Sequence, residues 1–544
     1  MLSAVVFYSV LFSGLFLLPA ALIFLLLSFI DHEHRLWDRF EMFADPLANR
    51  FIRARWVMLL RGRCPHLVAF VVRRFDPRDP WGLRATISLG FLLLGAHFLR
   101  EVVRELVGKD PLMTLDLRLH NSVPLVRSAH VTSFMLALTE FGGPLFLWPF
   151  SVGLALLAYA REKRRLAATL LLAIATSSLL SAVIKLMVGH SRPTDSLIRE
   201  AAMSFPSGHV LGSAIVYGVL ASAIMASPLR RSLRAVCVAF LMLLIVGIGL
   251  SRLYLGVHWP SDLLGSLAIA LSCLACLLFF LHYPAPLGRL ETLFLRAPAG
   301  LVRSFGAVAL ACAGVTAVYL FGHAKLLPIG PPQAAQPIAM EDLLVKLPEH
   351  MSIRSEDLVG GEMEPVSLVF AGSRDDLQSA FERAGWTLAD LPTPVRVVRE
   401  AIAIATNGLD LSGPATPAYF ADRPQTLTFE KPDAVTPGIR HRHHTRIWQT
   451  AYCVQAACLP LWVATASFDA GIEVSHRLHL PTHRIDPEID LERDLIASDL
   501  ATVGASTVGT LKVLEPSMGT NAAGDTFRTD GRAVVLRLSP RGNL

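Results

Sequence analysis

The feature that most constrains this chain is a series of long apolar segments, each about the length of one bilayer crossing. A transmembrane helix needs about 20 mostly apolar residues, and the sequence offers candidate spans at 4–30, 83–107, 132–160, 166–188, 208–229, 235–251, 259–281 and 304–322. Only 17% of the 544 residues are charged, whereas an average soluble protein has about a quarter. The sequence therefore predicts a multi-pass membrane protein.

Basic residues alternate between the predicted loops. Arginine and lysine crowd the first loop, residues 161–165, residues 230–234 and residues 289–303. Basic loops stay on the cytoplasmic side, so we expect both termini outside the cytoplasm, which is the periplasmic side of a bacterial inner membrane. These loops also explain the net charge of +6 without a nucleic-acid partner.

The N-terminal region needs two further interpretations. Residues 1–30 contain no charged side chain, which favours a retained span over a cleaved secretory signal. The apolar runs between residues 53 and 75 are too short to span. That stretch is either an amphipathic segment on the inner surface or an ordinary loop helix.

Three polar clusters fall at the ends of adjacent predicted spans. They read KLMVGHSRP at 185–193, SFPSGH at 204–209 and SRLYLGVHWPSD at 251–262. The loop charges place all three on the same, outer face of the membrane. We therefore expect one polar site built from three distant stretches of the chain.

The clusters contain the groups that phosphoryl transfer needs. A transferring phosphoryl group carries negative charge on its equatorial oxygens, and Lys185, Arg192 and Arg252 can form a cationic clamp around it. Ser207 and Gly208 open a helix, where free backbone N–H groups and the helix dipole favour an anion. The pattern thus predicts a phosphate-binding site.

A histidine dyad can supply the nucleophile. His258 and Asp262 are four positions apart and share one helical face, so Asp262 can accept the Nδ1 proton while the other nitrogen attacks phosphorus. His209 would protonate the leaving oxygen and later activate water. The clusters lack the aspartate-rich set of a two-metal phosphatase, and we expect neither metal nor cofactor.

The roles of several ionisable residues near the membrane are not decided by the sequence. Glu140 could pair with Arg192 or Arg252, line an entrance for the headgroup, or be structural. The single histidines His97, His190 and His282 are typical of packing or headgroup contacts, and we assign them no role.

The three clusters resemble the signature of the type 2 phosphatidic acid phosphatase (PAP2) superfamily. That pattern is Lys, six residues, Arg-Pro; then Pro-Ser-Gly-His; then Ser-Arg, five residues, His, three residues, Asp, and every position matches here. The resemblance covers about residues 83–283 and implies a six-helix core, a phosphohistidine on His258 and acid–base catalysis by His209. The phosphate-binding residues it implies are Lys185, Arg192, Ser207, Gly208, Ser251 and Arg252.

After residue 323 the composition changes. Residues 325–336 form a proline-bearing linker, followed by a strand at 366–370 and a helix that Ser373 caps and Gly385 ends. Further strands are expected near 425–430, 446–452 and 461–468, and 533–538 could be a strand in an otherwise loosely packed tail. Cys453 and Cys458 are the one plausible disulfide pair, provided that this domain is exported.

Two patches of this region, residues 441–448 and 482–490, resemble the LssY-type C-terminal domain, which implies an architecture and no activity. Three interpretations of the patches stay open. His443, His444, His483 and Asp486 could bind a metal, the patches could be basic protein surface, or they could contact anionic lipid or lipopolysaccharide phosphates.

The predicted fold class is a mostly α, multi-pass membrane helical bundle, a six-helix PAP2-like core with flanking helices, followed by a soluble α+β domain. The expected domains are 1–82, 83–283, 284–324, the linker 325–336, and 337–544. The predicted function is a lipid phosphate or diphosphate phosphatase of the outer leaflet. The alternatives are a lipid phosphotransferase that uses the same site and a non-enzymatic export accessory protein that works through its C-terminal domain; the oligomeric state stays open.

Overall fold

The structure is a computed structural model that describes residues 62–74, 79, 81–108, 111–282, 298–323, 326, 335–339, 342, 352–390, 417–435, 441–454, 458–474 and 481–539. Its described residues form two compact units. One holds those from 62 to 112 and from 127 to 326, and the other holds 113–126 together with those from 335 onward. The predicted span 4–30 lies outside the described residues.

The described helices, in chain order, are α1 (Pro65–Arg74), α2 (Leu83–Gly108), α3 (Pro111–Ser122), α4 (Ala129–Glu140), α5 (Pro144–Ala160), α6 (Arg164–Val188), α7 (Gly208–Met225), α8 (Arg231–Tyr254), α9 (Pro260–His282), α10 (Ala299–His323), α11 (Arg374–Arg383) and α12 (Ile489–Thr502). Six of them, α2 and α6 to α10, are long and apolar enough to cross a membrane. The other seven predicted spans are thus found as helices, with α4 and α5 sharing the one predicted at 132–160.

That shared span is bent. The axes of α4 and α5 differ by 44°, and the break falls at Gly142 and Gly143, just before Pro144 at the first position of α5. Proline suits a first helical position because it has no N–H to donate. A Cβ on Gly142 would lie 2.6 Å from Cγ2 of Ile248 in α8, so glycine is what allows this close approach.

Helix α7 forms the centre of the membrane unit and packs against α5, α6, α8 and α9. Of its 18 residues, 72% are buried, as expected for a helix that is apolar on all sides. A Cβ on Gly218 would lie 2.8 Å from Leu274 of α9, so the two helices pack closely. The polar clusters therefore stand at the ends of tightly packed helices.

The second unit is an α+β domain, as predicted. Its strands are β1 (Gln336–Ile338), β2 (Arg354–Glu356), β3 (Glu362–Pro365), β4 (Leu368–Ala371), β5 (Thr387–Leu388), β6 (Tyr419–Phe420), β7 (Arg423–Pro424), β8 (Leu427–Pro432), β9 (His441–Val454), β10 (Leu459–Val474), β11 (Pro481–Ile485), β12 (Ser506–Lys512), β13 (Ser517–Thr520), β14 (Thr526–Thr529) and β15 (Arg532–Arg537). The main sheet runs β12-β15-β4-β10-β9-β8-β5, with β1 beside β9 and β11 beside β10. Phe381 of α11 and Ile496 of α12 contribute to the core on one face of this sheet.

Several local predictions in this domain are confirmed, namely a strand, the two ends of a helix and a disulfide. Strand β4 overlaps the predicted 366–370 but begins two residues later, and Ser373 caps α11 in a capping box with Asp376, which satisfies two orphan N–H groups. Gly385 follows the helix at φ 81°. Cys453 and Cys458 form a disulfide, the pair expected from the sequence.

The expectation of a loose C-terminal tail is wrong, whereas the possible strand at 533–538 is confirmed as β15. Strand β15 pairs in parallel with β4, and Ala533, Val535 and Leu536 are fully buried. Strands β9 and β10, of 14 and 16 residues, are also much longer than predicted. The length and position of these strands depend on pairing with strands distant in the sequence, and local β-propensity does not predict such pairing.

From Met113 onward, helix α3 belongs to the same unit as the α+β domain. The Arg118 guanidinium is buried and forms ion pairs with Glu356 and, at 3.0 Å, with Asp422. Ser122 Oγ lies 3.0 Å from the Tyr419 hydroxyl. A short segment between two membrane helices is thus built into the C-terminal domain.

Candidate active site

The three polar clusters meet at one end of the membrane unit. Helix α6 ends at Gly189, whose left-handed φ of 63° is the usual glycine termination of a helix. After this turn, the first cluster lies next to the second, and the carbonyl of His190 accepts a hydrogen bond from Ser204 N at 2.8 Å. Lys185, in the last turn of α6, donates to the carbonyls of Met203 and Ser204.

The predicted dyad is present. His258 Nδ1 lies 3.1 Å from Asp262 Oδ2, and both side chains are at most 1% exposed. On the other side of the ring, Arg192 Nη1 lies 3.3 Å from His258 Nε2. A guanidinium can only donate hydrogen bonds, so Nε2 carries a lone pair and Nδ1 carries the proton given to Asp262.

Burial also keeps this histidine neutral. Loss of solvent lowers the pKa of His258 to about 4, although Asp262 acts to raise it. At neutral pH the imidazole therefore retains its lone pair on Nε2. An uncharged imidazole is the form that can act as a nucleophile.

Both clamp arginines contact a carboxylate that sequence reasoning missed. Glu200 Oε2 lies 2.6 Å from Arg192 Nη2, and Oε1 pairs with Arg252. Arg252 is 1% exposed and also donates to Thr139 Oγ1 at 2.9 Å. Two of the three cations expected to bind phosphate are thus held around one anionic group.

His209 stands in the first turn of α7 beside the break between α4 and α5. A Cβ on Gly143 would lie 3.5 Å from His209 Nε2, so the ring lies in van der Waals range of that break. His209 also interacts electrostatically with His258, Arg252 and Glu200. The two histidines of the prediction are therefore brought into one polar cluster.

The two predicted serines differ in their surroundings. Ser207 is fully buried, and within the described part of the chain its hydroxyl has no hydrogen-bond partner. Gly208 follows at the first position of α7, where backbone N–H groups are free. Ser251 instead donates to Ile248 O at 2.6 Å within its own helix, so its phosphate contact stays a prediction.

Two further residues contact Asp262 without having been assigned a role. Ser204 Oγ hydrogen-bonds Asp262, and His190 Nδ1 lies 3.2 Å from Asp262 Oδ1. Glu140, by contrast, forms no ion pair within 4.0 Å with Arg192 or Arg252, all three of which the structure describes. The sequence signal for both contacts was their place in the clusters, since His190 lies within the first cluster and Ser204 opens the second.

The histidine patch of the C-terminal domain differs from what was expected. His443 pairs with Glu492 at 2.8 Å, and His444 and His483 contact Asp469 at 3.1 and 3.3 Å. Among the described residues, no His, Cys, Asp or Glu cluster is arranged to hold a metal ion. The surface interpretation is wrong for Arg442 and His444, which are 3% and 5% exposed.

Two family models match the chain. The PAP2 superfamily model matches residues 166–286, and the LssY C-terminus model matches residues 348–533. Each model thus matches a separate part of the chain, the first in the membrane unit and the second in the C-terminal domain. The family resemblance inferred from the motifs is confirmed.

The chain is similar to phosphatidylglycerophosphatase B of Bacillus subtilis (strain 168), with 29% identity over 198 residues. The match covers 36% of this chain and 91% of the relative. A crystal structure of a transmembrane PAP2 type phosphatidylglycerolphosphate phosphatase from Bacillus subtilis is 25% identical, with a TM-score of 0.31, and covers 35% of this chain and 93% of that one. The family match and the relative support a membrane lipid phosphatase.

Proposed function

We propose that this protein hydrolyses a lipid phosphate or diphosphate through a phosphohistidine on His258. The observation that carries the proposal is the orientation of that ring. Its Nδ1 is bonded to Asp262, while its Nε2 faces the Arg192 guanidinium. A nucleophilic nitrogen is thus aimed at the group that would hold the phosphate.

The reaction would run in two steps. His258 Nε2 attacks phosphorus, the P–O bond to the lipid breaks, and His209 gives its proton to the leaving oxygen. A water molecule then loses a proton to His209 and attacks the phosphohistidine, which breaks the N–P bond and releases inorganic phosphate. Arg192, Arg252 and Lys185 would stabilise the charge on the equatorial oxygens.

The buried hydroxyl of Ser207 supports the position of the phosphate. A buried hydroxyl without a partner costs free energy, which a phosphate oxygen would recover by accepting its hydrogen bond. The adjacent N–H groups at the start of α7 would contribute further donors. Metal plays no part in this scheme.

For the substrate, the relative's name gives the first compound to test. We infer that phosphatidylglycerophosphate is a candidate, alongside phosphatidic acid, undecaprenyl diphosphate and lipid A phosphate. The loop charges support a site on the periplasmic side of a bacterial inner membrane, together with the C-terminal domain.

The proposal is tested by phosphate release from detergent-solubilised full-length protein, assayed on these four lipids. We expect release from at least one, and on the order of 10⁴-fold less from His258→Ala. Unchanged release from that variant would remove the nucleophile. Activity that chelator abolishes and a divalent cation restores would contradict a metal-free reaction.

The same preparation separates hydrolysis from phosphotransfer. If an acceptor lipid is added and hydrolysis dominates, phosphate should appear in solution at the rate at which substrate disappears. A shortfall matched by newly phosphorylated lipid would instead show a transferase that uses the same site.

A further inference from the structure

The buried carboxylate of Asp262 divides its two oxygens between two imidazoles. Oδ2 contacts His258 Nδ1 at 3.1 Å and Trp259 N at 2.9 Å, and it accepts the Ser204 hydroxyl. Oδ1 lies 3.2 Å from Nδ1 of His190. The first cluster therefore contacts the nucleophile's carboxylate through a histidine that the motif pattern does not specify.

The backbone holds His190 in this position. The left-handed Gly189 precedes it, and the carbonyl of His190 accepts the N–H of Ser204 at 2.8 Å. Trp259 Nε1 donates to Ser191 O at 2.8 Å, which ties the next residue to the third cluster. The His190 side chain is 18% exposed, so most of its ring is enclosed by the site.

The contact matters because Asp262 is fully buried. A buried charge needs a hydrogen-bond donor at each oxygen, and His190 is the donor that the structure gives to Oδ1. Without it, the carboxylate could turn about its Cβ–Cγ bond to recover a partner. That rotation would draw Oδ2 away from His258.

We propose that His190 is a positioning residue, which orients Asp262 so that His258 Nε2 faces the phosphate. The inference rests on the proposed phosphohistidine function. His190 contacts neither the reacting atoms nor the phosphate clamp, so its loss should slow the attack on phosphorus while substrate binding remains. A donor at the Nδ1 position is what the role requires.

Two amide substitutions distinguish this role from simple packing. The amide nitrogen of asparagine can occupy the place of Nδ1, whereas that of glutamine lies one bond further out, near Nε2. His190→Asn should therefore keep kcat within about threefold, and His190→Gln and His190→Leu should lose about tenfold or more. KM should change by less than about twofold in all three variants.

The test uses full-length protein in detergent micelles with the best lipid phosphate found above. His97→Asn is the matched control, because His97 lies exposed in α2 and should leave both constants unchanged. Thermal unfolding of each variant shows that the protein tested is folded. Equal kcat in all three variants, equal losses in Asn and Leu, or a rise in KM at constant kcat would each overturn the role of His190.

The two proposals fail in different ways. If wild-type protein releases no phosphate, or if His258→Ala releases it normally, the proposed function is wrong. Suppose instead that His258→Ala is inactive while wild type and all His190 variants are active with equal kcat. The phosphohistidine proposal is then supported, and the positioning role of His190 is wrong.

Discussion

The membrane unit and the C-terminal domain each bury a cluster of charged and histidine side chains, but the two clusters differ in which charge gathers at the centre. In the membrane unit, Arg192 and Arg252 both pair with the carboxylate of Glu200, and the Ser207 hydroxyl and Nε of Arg252 have no hydrogen-bond partner among the described residues. In the C-terminal domain, two carboxylates flank one arginine, since Arg442 lies between Glu430 at 2.5 Å and Asp469 at 3.0 Å. Buried atoms without a hydrogen-bond partner in the described part of the chain occur there too, among them Asp469 Oδ1 and both ring nitrogens of His483. The first cluster is rich in cations and suits an anion, whereas the second balances its arginine with its own carboxylates.

This difference indicates separate roles for similar residues. A buried arginine balanced by carboxylates contributes to a specific fold, whereas arginines gathered around a single anionic group are typical of sites that bind phosphate. We therefore expect substitutions in the membrane cluster to change activity and those in the C-terminal cluster to change stability.

The largest expected effect is on the stability of the C-terminal cluster. Asp469→Asn would remove the buried anion next to Arg442, and breaking a buried ion pair costs about 3–5 kcal/mol. Hydrogen exchange of β10 in the full-length protein should accelerate accordingly, with phosphate release per folded molecule unchanged. The exposed Glu515, paired with Lys512, supplies the control Glu515→Gln; equal exchange in both variants would remove the distinction.

A substitution in the membrane cluster should instead lower activity and leave the stability of the C-terminal domain unchanged. Arg252→Gln removes a buried cation from the phosphate clamp, and loss of one such group costs about 10²–10³-fold in rate. The kcat/KM for lipid phosphate should fall by that factor, while exchange in β10 stays as in wild type. Arg303→Gln, at an exposed position of α10, is the control. If Arg252→Gln were fully active, this cluster would be structural as well.

Glu200 allows a further test of the membrane cluster, because its carboxylate pairs with both Arg192 and Arg252. If its carboxylate stands where the phosphate binds, Glu200→Gln should tighten inhibition by inorganic phosphate by about tenfold, equivalent to ~1.4 kcal/mol. The exposed Glu162 gives the control Glu162→Gln. Weaker inhibition in Glu200→Gln would mean that Glu200 organises the arginines and does not compete with the substrate.

The smallest effect concerns a cap far from either cluster. Ser373→Ala removes the side-chain acceptor of the α11 capping box, which costs about 1 kcal/mol. Exchange of the first turn of α11 should accelerate modestly, and phosphate release should not change. An effect as large as that of Asp469→Asn would show that the domain depends on local capping as much as on its buried charges.

The sequence predicted the membrane unit more completely than the C-terminal domain. Long apolar runs and three motifs at fixed spacing are local signals, and they located seven spans and the His258–Asp262 pair. The contacts of Glu200 and His190 depend on how a loop folds back over α7, which no spacing rule describes. Strand β9 begins with polar residues that are buried in ion pairs, so its first half lacked the apolar pattern of a strand.

The most direct test of the central claim is to find the phosphate on the enzyme. Full-length protein is mixed with a lipid phosphate labelled in the phosphoryl group, stopped within milliseconds in alkali and digested, and the peptide that holds residues 251–262 is examined by mass spectrometry. The account predicts a phosphoryl group on His258 that acid removes and alkali preserves, and that is absent from His258→Ala. Active enzyme that carries no label, or carries it on another residue, would contradict the account.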